Sequence, residues 1–182
     1  MRFRKIACVG SGLVGHSWAT LFAIKEYPVT IQDVDRDLLE RALSRIRSNI
    51  NFLVDKKLIA RSHAETAMKN IQATTSIQEA VGEADYVQES VYENYEVKRK
   101  VFAKMDEINP RAILASSSSG LLITQIQKAT KRPARCLIAH PFNPPHLIPL
   151  VELVPGEKTS AQTVEATAEF MRRLGKTPII LR

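Results

Sequence analysis

The sequence is poor in several features that would place a protein in a special class. Its only two cysteines, Cys8 and Cys136, each lie in a short apolar run, with no second cysteine or histidine at metal-ligand spacing. This pattern predicts buried, reduced thiols and no metal site. No apolar run is long enough to cross a bilayer, and the one behind the basic start is too short for a signal peptide. We therefore expect a cytoplasmic protein with no membrane partner.

The chain also lacks internal repeats, low-complexity segments and any linker rich in proline, glycine or serine. With 182 residues, 45% hydrophobic and 25% charged, it is expected to form one soluble domain over residues 1–182. The formal net charge is +7, yet lysine and arginine are scattered and aromatic residues do not alternate with them. That distribution argues against nucleic acid as a partner, whereas a basic surface suits an anionic substrate.

Short apolar segments alternate with longer segments of helical period, which is typical of a parallel sheet with crossover helices. The predicted fold is α/β, with a doubly wound, mostly parallel sheet of about eight strands. We place the strands near residues 5–9, 28–33, 70–74, 85–89, 112–116, 135–140, 148–154 and 177–181. A long helix is expected from about residue 35 toward residue 57, and residues 50–70 are expected to form a helical excursion from the sheet.

Two further helices have boundaries that the sequence predicts. One follows Asn94, and its apolar face is marked by Val97, Val101, Met105 and Ile108. The last helix begins at Thr159 or Ser160 and stops at Gly175. Gln162 lies in position for a capping box.

A glycine-rich turn, GSGLVG, follows the first predicted strand and leads directly into a helical pattern. In such a turn Gly10 permits the tight bend, Gly12 lets the backbone approach a diphosphate, and Gly15 lets helix and strand pack closely. The start of the helix, at Leu13 and Val14, offers free N–H groups and a partial positive charge to the phosphates. Glycine-rich turns also occur for structural reasons alone.

An acidic residue after the second predicted strand strengthens the case for a dinucleotide. Asp33 stands at the spacing where a carboxylate accepts hydrogen bonds from ribose hydroxyls, and its charge would repel a 2′-phosphate. Strand, glycines, helix and acid together predict a Rossmann-type domain with NAD as its cofactor. His16, just after the turn, is expected to be a surface residue at the start of the helix.

A histidine and a glutamate stand out in the later part of the chain. His140 lies at the carboxyl end of a predicted strand, where open parallel sheets bind ligands, and Glu152 lies in the next, otherwise apolar strand. A carboxylate in those surroundings needs a partner. Glu152 either pairs with His140 for structure alone, faces solvent on an edge strand, or orients His140 as a general base. The serines of residues 116–119 form either a plain loop or a contact to a substrate oxygen.

These motifs together resemble the 3-hydroxyacyl-CoA dehydrogenase superfamily over the whole chain. The resemblance rests on GSGLVG, on QES with Glu93, Asn94 and Lys98 behind it, on the serine run ending in SSG, and on HPFNPP followed by IPLVELVP. Within the superfamily, the motifs are most similar to the branch of lambda-crystallin and L-gulonate 3-dehydrogenase and to L-carnitine dehydrogenase.

The resemblance implies a function and a set of site residues. The implied catalytic residues are His140, Glu152, Ser119 and Asn143. Glu93 and Lys98 are implied to contact the cofactor near the nicotinamide and the adenosine. The implied reaction is NAD-dependent oxidation of a gulonate- or carnitine-like L-3-hydroxy acid to the 3-keto acid. An L-3-hydroxyacyl-CoA substrate of fatty acid metabolism and an NAD-binding module without activity are the alternatives.

Two expectations concern the borders of the site. Lys56 and Lys57 lie where the acyl-CoA branch has basic residues that could meet a CoA phosphate, and a solvated helix end is the other interpretation. Family members continue into a helical C-terminal domain that supplies another catalytic asparagine, closes over the substrate and forms the dimer. That domain is absent from these 182 residues. The full-length protein is therefore expected to be a homodimer through it.

Overall fold

The computed structural model describes residues 3–181; Met1, Arg2 and Arg182, at the ends of the predicted domain, lie outside the described residues. The strands are β1 (Ile6–Val9), β2 (Val29–Gln32), β3 (Ile71–Thr74), β4 (Tyr86–Glu89), β5 (Ile113–Ser116), β6 (Cys136–Pro141), β7 (Leu150–Pro155) and β8 (Thr177–Ile180). The helices are α1 (Leu13–Ile24), α2 (Arg36–Asp55), α3 (Arg61–Lys69), α4 (Ile77–Val81), α5 (Tyr95–Ile108), α6 (Ile123–Gln127) and α7 (Ala161–Arg173). A 3-10 helix covers Pro133–Arg135.

All eight strands lie in one sheet, in the order β3-β2-β1-β4-β5-β6-β7-β8. The pairings from β3 to β6 are parallel, β7 pairs antiparallel with β6, and β8 pairs parallel with β7. The prediction of a mostly parallel, Rossmann-type sheet is confirmed. The strand order reverses between β1 and β4, and the crevice at that switch point is where such sheets bind nucleotides.

Helices cover both faces of the sheet, and each face has its own apolar core. One core lies under α1, α2, α3 and α7, where Phe22 stacks on Phe170 with ring centroids 5.9 Å apart. The other core lies under α4, α5 and α6 and contains Phe102 and Met105. Cys8 and Cys136, whose thiols were predicted to be buried and reduced, are buried and free. Because two faces are covered, the central strands β1, β4 and β5 are buried at every position rather than at alternate ones.

The helical excursion from the sheet is present as the end of α2 together with α3. Asp35 begins α2 by accepting a hydrogen bond from the backbone N–H of Asp37 at 2.7 Å. The buried residues of α2 recur every three or four positions and include Leu39, Ile46 and Ile50. Its length and its amphipathic period therefore follow from the sequence pattern.

The boundaries of α7 confirm one prediction and correct another. Gly175 adopts a φ of +81°, in the left-handed region that favours glycine, directly after the helix. Ser160 is the N-cap and accepts from the N–H of Thr163 at 3.1 Å. Gln162 is therefore not in the capping-box position, because that position is three residues after the cap. Thr159 instead donates its hydroxyl proton to the carbonyl of Cys136.

Two predictions of exposure are wrong. His16 is 4% exposed, and its Nδ1 lies 2.7 Å from the carbonyl oxygen of Gly12. Val97, expected on the apolar face of α5, is 37% exposed, whereas its neighbour Lys98 is 1% exposed. The reason is electrostatic, because α5 turns Lys98 inward toward a buried carboxylate of β4 and thereby turns Val97 outward.

Candidate functional site

The three glycines of the turn between β1 and α1 occupy three different environments. Gly10 has a φ of +94°, and a Cβ there would lie 2.6 Å from the carbonyl carbon of Ser90. A Cβ on Gly15 would lie 1.9 Å from the carbonyl oxygen of Gly10, so helix and strand are in direct contact at that point. A Cβ on Gly12 would meet no protein atom within 4 Å. Two glycines are thus required by the fold, whereas Gly12 leaves room for a ligand.

The start of α1 presents hydrogen-bond donors beside that room. The helix begins at Leu13 after Gly12, and no side chain caps it. The first N–H groups of a helix, here including those of Leu13 and Val14, have no partner within the helix. A cavity of about 560 Å³ adjoins the turn and is lined by Gly10, Gly12 and Asp33 among others. Free amide donors, a positive helix end and open space fit the diphosphate of a dinucleotide.

Asp33 stabilises the turn as well as lining this cavity. Its Oδ2 accepts from the N–H and from the hydroxyl of Ser11, both at 2.7 Å, and its Oδ1 accepts from the N–H of Val34 at 2.8 Å. The carboxylate therefore lies at the end of β2 in a position set by backbone donors. These contacts support a fixed carboxylate at the place where the ribose of a dinucleotide is expected.

His140 and Glu152 are directly opposite each other on β6 and β7. Their side chains are in contact, with Nδ1 of His140 2.8 Å from Oε2 of Glu152, and are 23% and 27% exposed. Because β8 lies beyond β7, Glu152 is not on an edge strand, and the interpretation that it faces solvent alone is wrong. When Nδ1 donates to Glu152, Nε2 is the nitrogen left to accept a proton.

The rim of the sheet gathers the other predicted residues around this pair. A cavity of about 230 Å³ is lined by Ser119, His140, Asn143, Glu93 and Lys98, among others. It shares the lining residues Ser90 and Val91 with the cavity at the glycine turn. The two cavities thus adjoin, so that a ligand held at the turn can extend toward His140. Lys56 and Lys57 are exposed at the end of α2 and line neither cavity.

A buried ion cluster lies beneath the rim. Lys98 donates to Oε1 of Glu89 at 2.7 Å and lies 3.3 Å from Oε2 of Glu93. Burial raises the pKa of Glu89, and the charge of Lys98 opposes that rise. Burial would also raise the pKa of Glu93, but hydrogen bonds from Ser118 and Gly120 and the charge of Lys98 hold it below its ordinary value. The ammonium of Lys98 is thus engaged by the protein itself.

Gln88 and Glu89 belong to the QES motif, but the sequence analysis gave neither of them a role in the site. Glu89 also accepts from the hydroxyl of Ser116 at 2.6 Å. Gln88 donates to the carbonyl of Ala139 at 3.2 Å and to the hydroxyl of Ser117 at 2.8 Å, which ties β4 to the strand that carries His140. Both are buried at the carboxyl end of β4. Two polar residues ending an otherwise apolar strand are the signal that could have identified them.

Two other kinds of feature are absent from residues 3–181. No three side chains of histidine, cysteine, aspartate or glutamate come together in a way that could hold a metal ion. Within the same residues, no helix has both the length and the apolar character needed to cross a membrane.

Comparison with known proteins identifies a family and several relatives of this chain. The family model described as 3-hydroxyacyl-CoA dehydrogenase, NAD binding domain, matches residues 5–182. Lambda-crystallin from Oryctolagus cuniculus is 41% identical over 96% of this chain and 55% of its own length. L-carnitine dehydrogenase from Streptomyces griseus is 37% identical over 98% of this chain and 52% of its own length. The chain therefore spans about half the length of these curated relatives.

A solved structure agrees with the sequence relatives. The chain superposes on 3-hydroxybutyryl-CoA dehydrogenase from Escherichia coli K12 with a TM-score of 0.95 and 31% sequence identity. The match covers 99% of this chain and 38% of that chain.

Proposed function

Because this chain belongs to the 3-hydroxyacyl-CoA dehydrogenase family, as its NAD-binding domain, we propose that it carries the acid–base half of an L-3-hydroxy acid dehydrogenase. The family and the NAD cofactor, both predicted from the motifs, are confirmed. The proposed reaction is the reversible oxidation of a gulonate- or carnitine-like L-3-hydroxy acid to the 3-keto acid. The observation that carries the proposal is the contact between His140 and Glu152 beside the cavity that continues from the glycine turn.

Each residue of the rim has a chemical task in this proposal. Bound NAD supplies the hydride acceptor. His140 takes the hydroxyl proton at Nε2, and Glu152 stabilises the imidazolium through Nδ1. Ser119 and Asn143, which line the same cavity, hold the reacting oxygen and the substrate. For the cofactor, the amides at Leu13 and Val14 bind the diphosphate and Asp33 binds the ribose.

Glu93 and Lys98 have an indirect role in the proposed site. Lys98 is engaged by Glu89 and Glu93, so its effect on the cofactor is exerted through Glu93 and the serine loop rather than through a free ammonium. Glu93 accepts from the N–H of Ser119 at 3.1 Å. We therefore assign Glu93 to positioning Ser119 in the cavity beside His140.

The choice of a small hydroxy acid is supported by the relatives. A carnitine dehydrogenase is among the curated proteins similar to this chain, at 37% identity. The acyl-CoA alternative is favoured by the similarity in shape to the hydroxybutyryl-CoA enzyme and by the exposed Lys56 and Lys57. In an inactive NAD-binding module, the same cavity would bind the cofactor without turnover.

One assay separates these proposals. NAD is mixed with the chain and with L-gulonate, L-carnitine or L-3-hydroxybutyryl-CoA, and NADH formation is followed by its absorbance. Parallel NADH fluorescence titration measures cofactor binding. Turnover of either hydroxy acid, but not of the thioester, supports the proposal. Turnover of the thioester alone contradicts it, and cofactor binding without any turnover favours the module. If a longer gene product contains this chain, the same assay applies to that product, where a homodimer is also expected.

A further inference from the structure

The loop between β6 and β7, residues 142–149, completes the site but lies outside the strand pairing. His140 and Glu152 are held opposite each other by the ladder. Asn143, which lines the cavity beside His140, comes after the last paired residue of β6 and has no such support. Within the loop, the N–H groups of Leu147 and Ile148 both donate to the carbonyl of Pro144 at 3.0 Å. Something else must hold this turn against the rest of the domain.

Lys176, just before β8, contacts the loop from beneath. Its side-chain ammonium donates to the carbonyl oxygen of Pro145 at 2.6 Å and to that of Ile148. The same ammonium lies 5.3 Å from the ring centroid of Trp18 on α1, a cation–π distance. One side chain thus joins the loop to the helix whose first turn faces the nucleotide cavity.

The surroundings of Lys176 are unusual for a lysine. It is 6% exposed, and among residues 3–181 it forms no ion pair with a carboxylate. Burial lowers its pKa to about 8, so that the ammonium is still the main form at neutral pH. A buried cation that is satisfied only by carbonyl oxygens and a ring is costly to keep, and a methionine of similar length would avoid that cost. Stability alone therefore does not explain a lysine at this place.

We propose that Lys176 is a positioning residue, which holds the loop of residues 142–149 so that Asn143 stays beside His140. The inference rests on the proposed function for its effect on turnover, but its structural part stands by itself. Two carbonyls of the loop, those of Pro145 and Ile148, converge on one ammonium, and removing that ammonium frees both. The cofactor cavity, which is formed by the glycine turn, does not include Lys176 and is expected to be unaffected.

The test compares Lys176→Met with Lys25→Met. Lys25 lines the same small cavity as Lys176, and within the described part of the chain its ammonium makes no hydrogen bond. In Lys176→Met, amide hydrogen exchange at Phe142, Leu147 and Ile148, the loop residues whose N–H groups donate hydrogen bonds, should rise by about tenfold or more. Exchange in β1 and the NADH dissociation constant should change by less than about twofold. Trp18, the only tryptophan of the sequence, should also shift its emission. Lys25→Met should leave all of these values as in the wild type.

The effect on turnover is measured with the chain itself or with a longer gene product that contains it, whichever is active as the wild type. Lys176→Met should lower kcat by about tenfold with little change in KM for NAD, because the cofactor cavity is intact. Lys176→Arg keeps the charge and the donors and should restore most of the protection of the loop. If Lys176→Met does not fold, Lys176→Gln takes its place with the same expectation.

The outcomes separate the two proposals. Unchanged exchange in residues 142–149, or a rise that spreads equally over the sheet, would overturn the role of Lys176 whatever the activity. Absence of wild-type turnover with every hydroxy acid would overturn the proposed function and leave the exchange result valid.

Discussion

The two halves of the site are built from different parts of the polypeptide. At the glycine turn, the groups offered to a ligand are backbone amides, and the space comes from the absent side chain of Gly12. At the rim of β4, β5, β6 and β7, the groups are side chains, and several are held by other side chains, as His140 is by Glu152 and Lys98 by Glu89. Ligand binding in the first half depends on the backbone conformation of the turn. The geometry of the second half depends on a network of contacts between side chains.

The difference teaches where each half is vulnerable. A backbone site fails when the chain can no longer bend or pack, as at Gly10 and Gly15, and it tolerates many changes elsewhere. A network of buried polar groups fails when any one member loses its partner, because an unpaired buried charge or donor is expensive. Substitutions in the two halves should therefore separate binding from chemistry.

The largest effect is expected from His140→Gln. Glutamine cannot accept the hydroxyl proton, so kcat should fall by about a thousandfold, within the usual range for a general base. The NADH dissociation constant, measured by fluorescence titration, should stay within about twofold of the wild type, because the turn is separate from His140. His63→Gln on α3 serves as a control. A variant of His140 with wild-type turnover would contradict the division between the halves.

A pair of glycine variants sharpens the comparison inside the backbone half. Gly15→Ala places a Cβ 1.9 Å from the carbonyl oxygen of Gly10 and should destabilise the fold by about 3 kcal/mol or unfold it. Gly12→Ala has open space around the new methyl group and should leave the melting temperature unchanged. Its NAD affinity should nevertheless fall by about tenfold, because the methyl group occupies space that the diphosphate needs.

Calorimetry and thermal melts of both glycine variants decide this prediction. Equal stability losses would show that Gly12 is also required by the fold, and unchanged NAD affinity in Gly12→Ala would remove it from the binding site.

The ion pair beneath the rim gives the corresponding test for the network half. Lys98→Met leaves Glu89 without its main partner and should cost about 3 kcal/mol in the free energy of unfolding. Glu89→Gln should cost less, because Lys98 retains Glu93 at 3.3 Å. The double variant should cost less than the sum of the two, since it removes both buried charges together. Urea denaturation measures all three, and strict additivity would argue against a coupled pair.

The smallest expected effect is a pH dependence from the loop above Lys176. Burial, followed by the charges of His16 and Lys176, lowers the pKa of His146 to about 4 from 6.5. The unfolded state therefore binds a proton that the folded state refuses, and stability is lost as pH falls from 6.5 toward 4. His146→Leu should lessen that loss by about 1–2 kcal/mol, a value reduced for the partial exposure of the ring. An acid unfolding profile as steep as the wild type would contradict this.

Much of the fold follows from local patterns, whereas the details of the rim do not. The eight strands, α2 and the turn at Gly175 were predictable because period, glycine and capping residues act over a few positions. The burial of His16 and the outward turn of Val97 were not, because both depend on contacts with distant residues. His16 is covered by the tertiary packing of α1, and Val97 is displaced by the pairing of Lys98 with Glu89.

The candidate site likewise has parts that follow from local sequence patterns and parts that depend on contacts between distant residues. The glycine turn and Asp33 could be found because their spacing in the chain reflects one continuous structural unit. His140 and Glu152 could be paired because they lie on adjacent strands joined by a short loop. Gln88 and Glu89 were named only as part of a motif, and Lys176 was not named at all. Their roles were not predictable because they depend on partners far away in the sequence, such as Ala139, Ser116 and Pro145, which only the folded sheet brings close.

The antiparallel pairing of β6 with β7 has a consequence for how relatives of this chain can diverge. Because side chains alternate between faces along a strand, one inserted or deleted residue within β7 would move Glu152 to the face opposite His140. Insertions in residues 142–149 leave that register intact and reshape only the pocket above it. Lengthening this loop can therefore reshape the pocket while the pairing of His140 with Glu152 is kept.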